Sequence, residues 1–208
     1  MAKIRNGVLT GLVGNLVLTK HKDVQVVKSR PQYKVQPTAG QKSQRNKLFV
    51  VNEFLKGIKP VIRTGYQDSD KLSPYNECVS ALLKNVIKLD NGDQVIDYPA
   101  VKIARGKLIA PEIISVEIKP NVITISWNSI STGSASRKND EAFVLLYPEN
   151  GKPQVFECIG YRKDGAGSVD VSSTGNSPYH LWMFFSNPRL VASESKKKVS
   201  DSVYLGKF

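Results

Sequence analysis

Two short apolar runs on either side of a polar segment, preceded by glycines, predict a glycine-punctuated β-hairpin over residues 7–30. Its strands are Leu16–Thr19 and Val24–Val27, which are rich in β-branched residues, and a polar turn at residues 20–23 joins them. Three glycines precede the first strand: Gly7, Gly11 and Gly14. They can supply positive φ angles or let another backbone approach closely, but their spacing does not match a nucleotide-binding fingerprint.

A helical period follows an extended basic linker at residues 31–37. Thr38 has the character of an N-cap, and Gln41 completes a capping box three residues later. The apolar stripe of this helix consists of Leu48, Val51, Phe54, Leu55 and Ile58. Pro60 interrupts the pattern, although residues 61–66 could form a further turn.

A second helix is predicted from Ser73, the cap, and Pro74 at its first position. Its apolar face comprises Tyr75, Val79, Leu82, Leu83, Val86 and Ile87, and Asn91-Gly92 is expected to end it. Short strands at 95–98 and 101–104 surround Pro99, which places them at a sheet edge.

From residue 111 onwards the pattern changes to short strand-like runs separated by Pro, Gly, Ser and Asn. There are seven, near residues 112–119, 122–128, 142–148, 154–159, 168–172, 180–186 and 199–205. This number and spacing are typical of an immunoglobulin- or fibronectin-type sandwich. Trp127 and Trp182 are then core aromatics, with ligand stacking as the alternative.

The sequence therefore predicts an α+β protein in two domains. Residues 1–110 are expected to form a basic N-terminal β-hairpin plus helices, and residues 111–208 an all-β immunoglobulin/fibronectin-like sandwich that folds alone. No apolar stretch is long enough to span a membrane, and the N-terminus lacks the dense apolar run of a signal peptide. We expect the protein in the cytoplasm or in an assembled particle.

Positive charge is concentrated at the start of the chain. Residues 1–63 contain 13 Lys or Arg and two acids, a net charge of +11, whereas the remaining 145 residues contain 17 and 16. This asymmetry indicates a surface for DNA, RNA or an acidic protein, and the alternative is a solvated basic face without a partner. The candidate polyanion-binding residues are Lys20, Lys22, Lys28, Arg30, Lys34, Lys42, Arg45 and Lys47.

The chain offers little for catalysis. His21 lies in a basic turn, His180 opens an apolar strand and is interpreted as a strand-edge residue, and Asp140/Glu141 resemble surface carboxylates more than a catalytic dyad. Asp68 and Asp70 have the same interpretation. The two cysteines, Cys78 and Cys158, are expected to be free buried thiols, and their number and spacing favour neither a disulfide nor a metal site. We therefore expect no enzyme, no cofactor and no metal.

Landmarks along nearly the whole chain are similar to those of a known group of proteins. They are Gly11, Gly14–Val17, Lys28–Pro31, Thr38 with Gln41, Gln44–Phe49, Tyr75-Asn76, Asp97-Tyr98, Arg105–Leu108 and Ser202–Gly206. The chain thereby resembles an uncharacterised Bacteroidota family with a domain of unknown function, and less closely small proteins found near phage-type genes. It departs from the usual pattern at Leu12, where a Lys is usual, and at His21–Asp23, where Trp-Lys-Gly is usual. The resemblance implies no activity.

Three functions remain open at this point. The first is a structural or assembly protein, phage-like or filament-like, that forms homo-oligomers through residues 1–37, with Gly7, Gly11, Gly14 and Asn15 at the contact. The second is a nucleic-acid-binding protein that contacts phosphates through residues 20–47. The third, a surface or adhesion protein, follows only from analogy with other sandwiches.

Overall fold

The computed structural model describes residues 2–30, 36–67, 72–90, 92–131, 136–172, 177–187 and 198–208. Its helices in these ranges are α1 Ala39–Lys56, α2 Lys59–Gly65 and α3 Pro74–Asn85. Its strands are β1 Lys3–Arg5, β2 Val8–Val13, β3 Leu16–His21, β4 Val24–Ser29, β5 Ile87–Asp90, β6 Asp93–Ile96, β7 Ile113–Lys119, β8 Val122–Trp127, β9 Glu141–Pro148, β10 Gln154–Phe156, β11 Ala166–Asp170, β12 Tyr179–Ser186 and β13 Val203–Lys207. Two compact units divide the chain, Met1–Lys42 and Ser43–Phe208.

The first unit contains an antiparallel sheet in the simple order β1-β2-β3-β4, which we call the N-terminal sheet. The hairpin predicted from residues 16–27 is present as β3 and β4, joined by a turn at Lys22-Asp23. Two further strands, β1 and β2, precede it. The sequence predicted no strand there, only a segment with three glycines. They escaped prediction because β1 has three residues and Gly11 interrupts the apolar run of β2.

Helix α1 begins at the predicted capping box. The Gln41 amide donates to Thr38 Oγ1 at 3.3 Å, and the Thr38 amide donates to Gln41 Oε1 at 3.1 Å. Val51 is the first buried residue of the helix, and the predicted stripe continues from it into the core. Leu48 was wrongly placed in this stripe: it lies one turn earlier, beyond the packed part of the helix, and is 42% exposed.

Helix α3 starts as predicted, with the Ser73 hydroxyl accepting a bond from the Asn76 amide. It ends at Asn85, six residues before the expected stop, and β5 and β6 form a hairpin around residues 91–92. Asn91 itself lies outside the described residues. The expected helix stop at Asn91-Gly92 therefore falls after a strand that the sequence did not predict there.

The segment 101–104, predicted as a strand, has no regular structure. Its side chains Val101, Ile103 and Ala104 are buried, and the amides of Ile103 and Ala104 bond to a side chain instead of to a neighbouring strand. The amide of Ile103 donates to Ser202 Oγ at 2.9 Å. Apolar composition alone did not distinguish this buried irregular segment from a strand.

All seven predicted strands of the C-terminal region are present, and they form two sheets. One sheet has the order β11-β8-β7 and the other β10-β9-β12-β13. The first, second and fifth of the seven strands thus lie in one sheet and the rest in the other, as in Greek-key sandwiches. Trp127 is buried in the core between the sheets, so the protein has an α+β fold with sandwich-like sheets.

Strands β9 and β12 are buried on both faces, which explains their nearly continuous apolar sequence. One face contributes Ala142, Val144, Leu146, Leu181, Met183 and Phe185 to the core between the sheets. The other contributes Phe143, Leu145, Trp182 and Phe184 to a core shared with α1, α2 and α3. The helices and the sandwich therefore belong to one unit: the boundary between compact units lies at residue 42, whereas composition suggested residue 110.

Both cysteines are free, and Cys78 is buried in α3 as expected. Burial raises the pKa of the Cys78 thiol to about 12. Cys158, in contrast, is exposed, with a φ angle of 53°. The expectation that it is buried in a strand was wrong, because β10 ends at Phe156 and Cys158 lies in the turn that follows.

Candidate assembly and polyanion-binding surface

Two tight turns define the connections of β2. Asn6 and Gly7 have φ angles of 49° and 74°, the two successive positive values that an Asn-Gly hairpin turn requires. Gly14, followed by Asn15, has a φ of 57° between β2 and β3. An added Cβ at Gly7 or Gly14 would meet no atom within 4 Å, so backbone conformation explains these glycines without any close approach.

The strand register assigns the side chains of β3 and β4 to two opposite faces, because paired residues point to the same side. One face carries Val13 paired with Leu16, and Leu18 paired with Val27; we call these four residues the apolar face, and the Lys20–Gln25 pair lies on the same side nearer the hairpin tip. Gly11 pairs with Leu18 and adds no side chain to this face. Val13, Leu16 and Val27 are 49%, 46% and 53% exposed.

The opposite face of β3 and β4 carries Lys28 and His21 among apolar and polar side chains, and a basic groove near the hairpin tip includes residues of both faces. Lys28 pairs with Val17, Thr19 with Val26, and His21 with Val24. A shallow groove of about 590 Å³ is lined by Thr19, Lys20, His21, Lys22, Val24, Val26 and Lys28. We call this the basic groove; it brings together three of the eight predicted polyanion-binding residues.

The other five predicted residues have different positions. Arg30 is exposed just after β4, and its backbone amide donates to the Asn15 carbonyl at 2.7 Å. Lys34 lies outside the described residues. Lys42 and Arg45 are exposed on α1. Lys47 is half-buried, because it precedes Val51 by four residues and Phe54 by seven and so lies on the core-facing stripe of α1.

Acidic side chains do little to neutralise the basic groove. Asp23 is the only acid in the chain before Glu53. Its carboxylate lies 3.7 Å from Lys20 Nζ, and the Asp23 side chain is fully exposed. Such an exposed pair contributes little to stability and leaves Lys22 and Lys28 available to an external anion.

His180, expected at a strand edge, is buried in the central strand β12. Its Nδ1 lies 2.8 Å from the Tyr204 hydroxyl, and its ring stacks on Tyr98 with 3.8 Å between centroids. Burial lowers the pKa of His180 and so favours the neutral imidazole. A side chain enclosed in this way has no room for a substrate. The sequence could not show this enclosure, because it depends on the pairing of His180 with Lys207 on one side and Tyr147 on the other.

Asp140 and Glu141 also differ from their interpretation as surface carboxylates. Asp140 is completely buried and bonds to Arg162, and Glu141 is the first residue of β9. Asp68 and Asp70 lie outside the described residues. Across the parts of the chain that the structure describes, no cluster of three or more His, Cys, Asp or Glu side chains could hold a metal ion.

The described residues contain no helix that is long and apolar enough to cross a membrane. The fold and surface together define an α+β protein in which a basic N-terminal sheet accompanies a helical layer on sandwich-like sheets. A family model described as "Family of unknown function (DUF6266)" matches residues 8–206, so the chain belongs to this family. No curated protein matches the sequence.

Proposed function

We propose that this is a non-enzymatic structural protein that forms homo-oligomers through its N-terminal sheet, with the apolar face buried between copies. One observation carries the proposal: no residue of 2–30 whose side chain is described is buried, although the sheet has an apolar face. Antiparallel sheets are normally stabilised by covering one face. A second copy of the same face would provide that cover.

The pattern of charge on the apolar face suits a two-fold contact. Its four residues carry no charge, and the nearest cation in the same face is Lys20, which pairs with Gln25 near the hairpin tip. In a two-fold arrangement with antiparallel strands, the tip of one sheet lies over the opposite end of its partner. The two Lys20 side chains are then far apart, and only apolar residues meet at the centre.

Salt dependence distinguishes this contact from polyanion binding. The N-terminal units carry the same charge and repel each other, so added salt should strengthen apolar association by screening that repulsion. Binding to a polyanion should weaken, because counterions compete for the lysines.

We predict that Val27→Glu lowers the oligomer mass, whereas Val24→Glu does not. Both residues are exposed positions of β4, on the apolar face and the opposite face respectively, so both variants carry the same charge change. Only the first places a carboxylate inside the proposed contact, where an unpaired charge is costly. Light scattering over a range of concentration and salt measures the mass, and a chain lacking residues 1–37 should be a folded monomer.

Some outcomes would exclude assembly through this face. A wild-type mass of 23.0 kDa under all conditions would mean that the protein is a monomer. Equal effects of Val27→Glu and Val24→Glu would mean that the apolar face is not the contact. The resemblance to small proteins found near phage-type genes in other bacteria is consistent with a component of an assembled particle, and the proposal extends to that role.

The basic groove favours a second candidate function, the binding of DNA or RNA phosphates. We predict that neutralising Lys20, Lys22, Lys28, Arg30 and Lys34 together abolishes such binding and leaves the fold intact. Each lost contact should flatten the slope of log K against log salt by about 0.9 on duplex DNA. Fluorescence anisotropy with labelled duplex and single-stranded DNA measures this, and Val27→Glu is the control. Absence of binding by the wild type at low salt would exclude this candidate.

A further inference from the structure

A second cavity lies in the other unit, far along the chain from the N-terminal sheet. It has a volume of about 350 Å³, within the range of small-molecule sites. Its apolar lining includes the buried residues Tyr66, Leu82 and Val86 and the half-buried Ala81, which we call the floor; exposed Ala100 also lines it. Its rim is polar and consists of Asn85, Lys102, Arg105 and Asp201.

The charges on the rim do not balance. Asp201 is its one carboxylate, and both oxygens are already engaged: Oδ2 accepts from Lys102 Nζ at 2.5 Å, and Oδ1 accepts from the Gly106 amide at 3.2 Å. Arg105 has no ion pair or side-chain hydrogen bond with any residue that the structure describes. Among the described residues, the lining of the cavity therefore has one positive charge that no carboxylate balances.

The backbone that carries Arg105 is fixed. The Arg105 amide donates to the Gly65 carbonyl at 2.9 Å, and the Ser202 amide donates to the Ala104 carbonyl at 3.0 Å. At Gly106 an added Cβ would lie 2.0 Å from the Val199 carbonyl oxygen, so only glycine fits. Leu108 is buried. Packing thus explains Gly106 and Leu108. The guanidinium of Arg105 is exposed on this rigid backbone and has no structural partner among the described residues.

We propose that this cavity binds a small organic anion, whose carboxylate or phosphate group pairs with Arg105 while its apolar body lies on the floor. Guanidinium presents a planar fork of donors that matches both anionic groups. The Asn85 side chain at the rim supplies a further polar group. An apolar floor with a few polar groups at the rim is the usual form of such sites.

The experiment uses the full-length protein and ligand-observed fluorine NMR with 4-fluorobenzoate, 4-fluorophenyl phosphate and neutral 4-fluorobenzamide. We expect saturable binding of one or both anions in the millimolar range and none of the amide. Arg105→Gln should weaken anion binding by about tenfold or more, since a charge-assisted pair is lost. Comparison of the two anions shows which group the site prefers.

Lys107→Gln is the matched control. Lys107 is exposed two residues further along, does not line the cavity, and loses the same charge. It should change the affinity by less than about twofold. Ala81→Leu, which adds volume to the floor, should abolish binding while the thermal unfolding temperature stays near that of the wild type.

Four results would overturn the proposal, three of them binding results and the fourth, given below, a stability result. The binding results are equal binding of benzoate and benzamide, equal weakening by Arg105→Gln and Lys107→Gln, or no saturable binding of either anion. Arg105 also lies beside the carboxyl end of α3, where a cation is favourable by itself. If Arg105→Gln only lowered the unfolding temperature and left anion binding unchanged, that electrostatic role would replace the proposed one. None of these results affects the proposal for the N-terminal sheet.

Discussion

At the scale of single residues, the most unusual feature is a buried ion pair in the second compact unit, residues 43–208. Arg162 Nε lies 3.1 Å from Asp140 Oδ2, and the two side chains are 2% and 0% exposed. Arg162 also donates to the Ile109 carbonyl at 2.8 Å, and its guanidinium lies 3.9 Å from the centroid of the Phe185 ring. The pair thus connects the loop before β7 to the loop before β9 and to the core.

We predict that Asp140→Ala or Arg162→Met lowers the free energy of unfolding by about 3–5 kcal/mol, because each leaves one buried charge without its partner. The double variant should lose less than the sum of the two, since it leaves no buried charge. Chemical denaturation followed by tryptophan fluorescence measures these values. Lys163→Met is the control and should change stability by less than about 0.5 kcal/mol. A single variant as mild as this control would show that the pair is not stabilising.

The sequence did not reveal this pair because its partners are 22 residues apart and each has an ordinary polar neighbourhood. The same holds for His180, which meets Tyr98 and Tyr204 only through tertiary packing. Residues with a local signal were predicted correctly: Thr38 and Ser73 both act as caps. Local hydrogen bonding follows from sequence, whereas partners across the core require the strand register.

At the scale of elements, hydrophobic periodicity was sufficient for the long helices and for the seven strands of the sandwich. It failed where elements are short or irregular. β1 and the β5–β6 hairpin are shorter than the window over which a period can be recognised, and the buried segment 101–104 has strand-like composition without strand geometry. For β5 and β6, the turn-forming residues between them were a better guide than hydrophobic periodicity.

The candidate surface could be predicted only in part. Charge counting found the lysines of the basic groove, because their density is visible in the sequence. It could not separate Lys28, on one face of the sheet, from the apolar residues on the other, since that division depends on register. The half-buried position of Lys47 likewise follows from geometry, whereas the positive φ angles of Gly7 and Gly14 were among the roles that the sequence suggested.

At the scale of the whole molecule, the helices and the sandwich share a hydrophobic core. Phe143, Leu145, Trp182 and Phe184 are at most 4% exposed, and they pack with residues of α1, α2 and α3. The change of composition at residue 111 marks a change of secondary structure inside one compact unit. A fragment that begins at residue 111 would expose the outer face of β9 and β12.

This leads to a prediction about dissection. Exposing those four side chains should cost about 1.5–3 kcal/mol each, which together approaches the total stability of a typical domain, about 5–15 kcal/mol. Residues 111–208 alone should therefore aggregate or lack a cooperative transition. Residues 38–208 keep the Thr38 cap and both cores, and should unfold cooperatively near the denaturant midpoint of the full chain. Circular dichroism and denaturant titration of both fragments decide the matter. A soluble fragment 111–208 with a cooperative β-type transition would show that the sandwich is an independent domain, as its composition suggested.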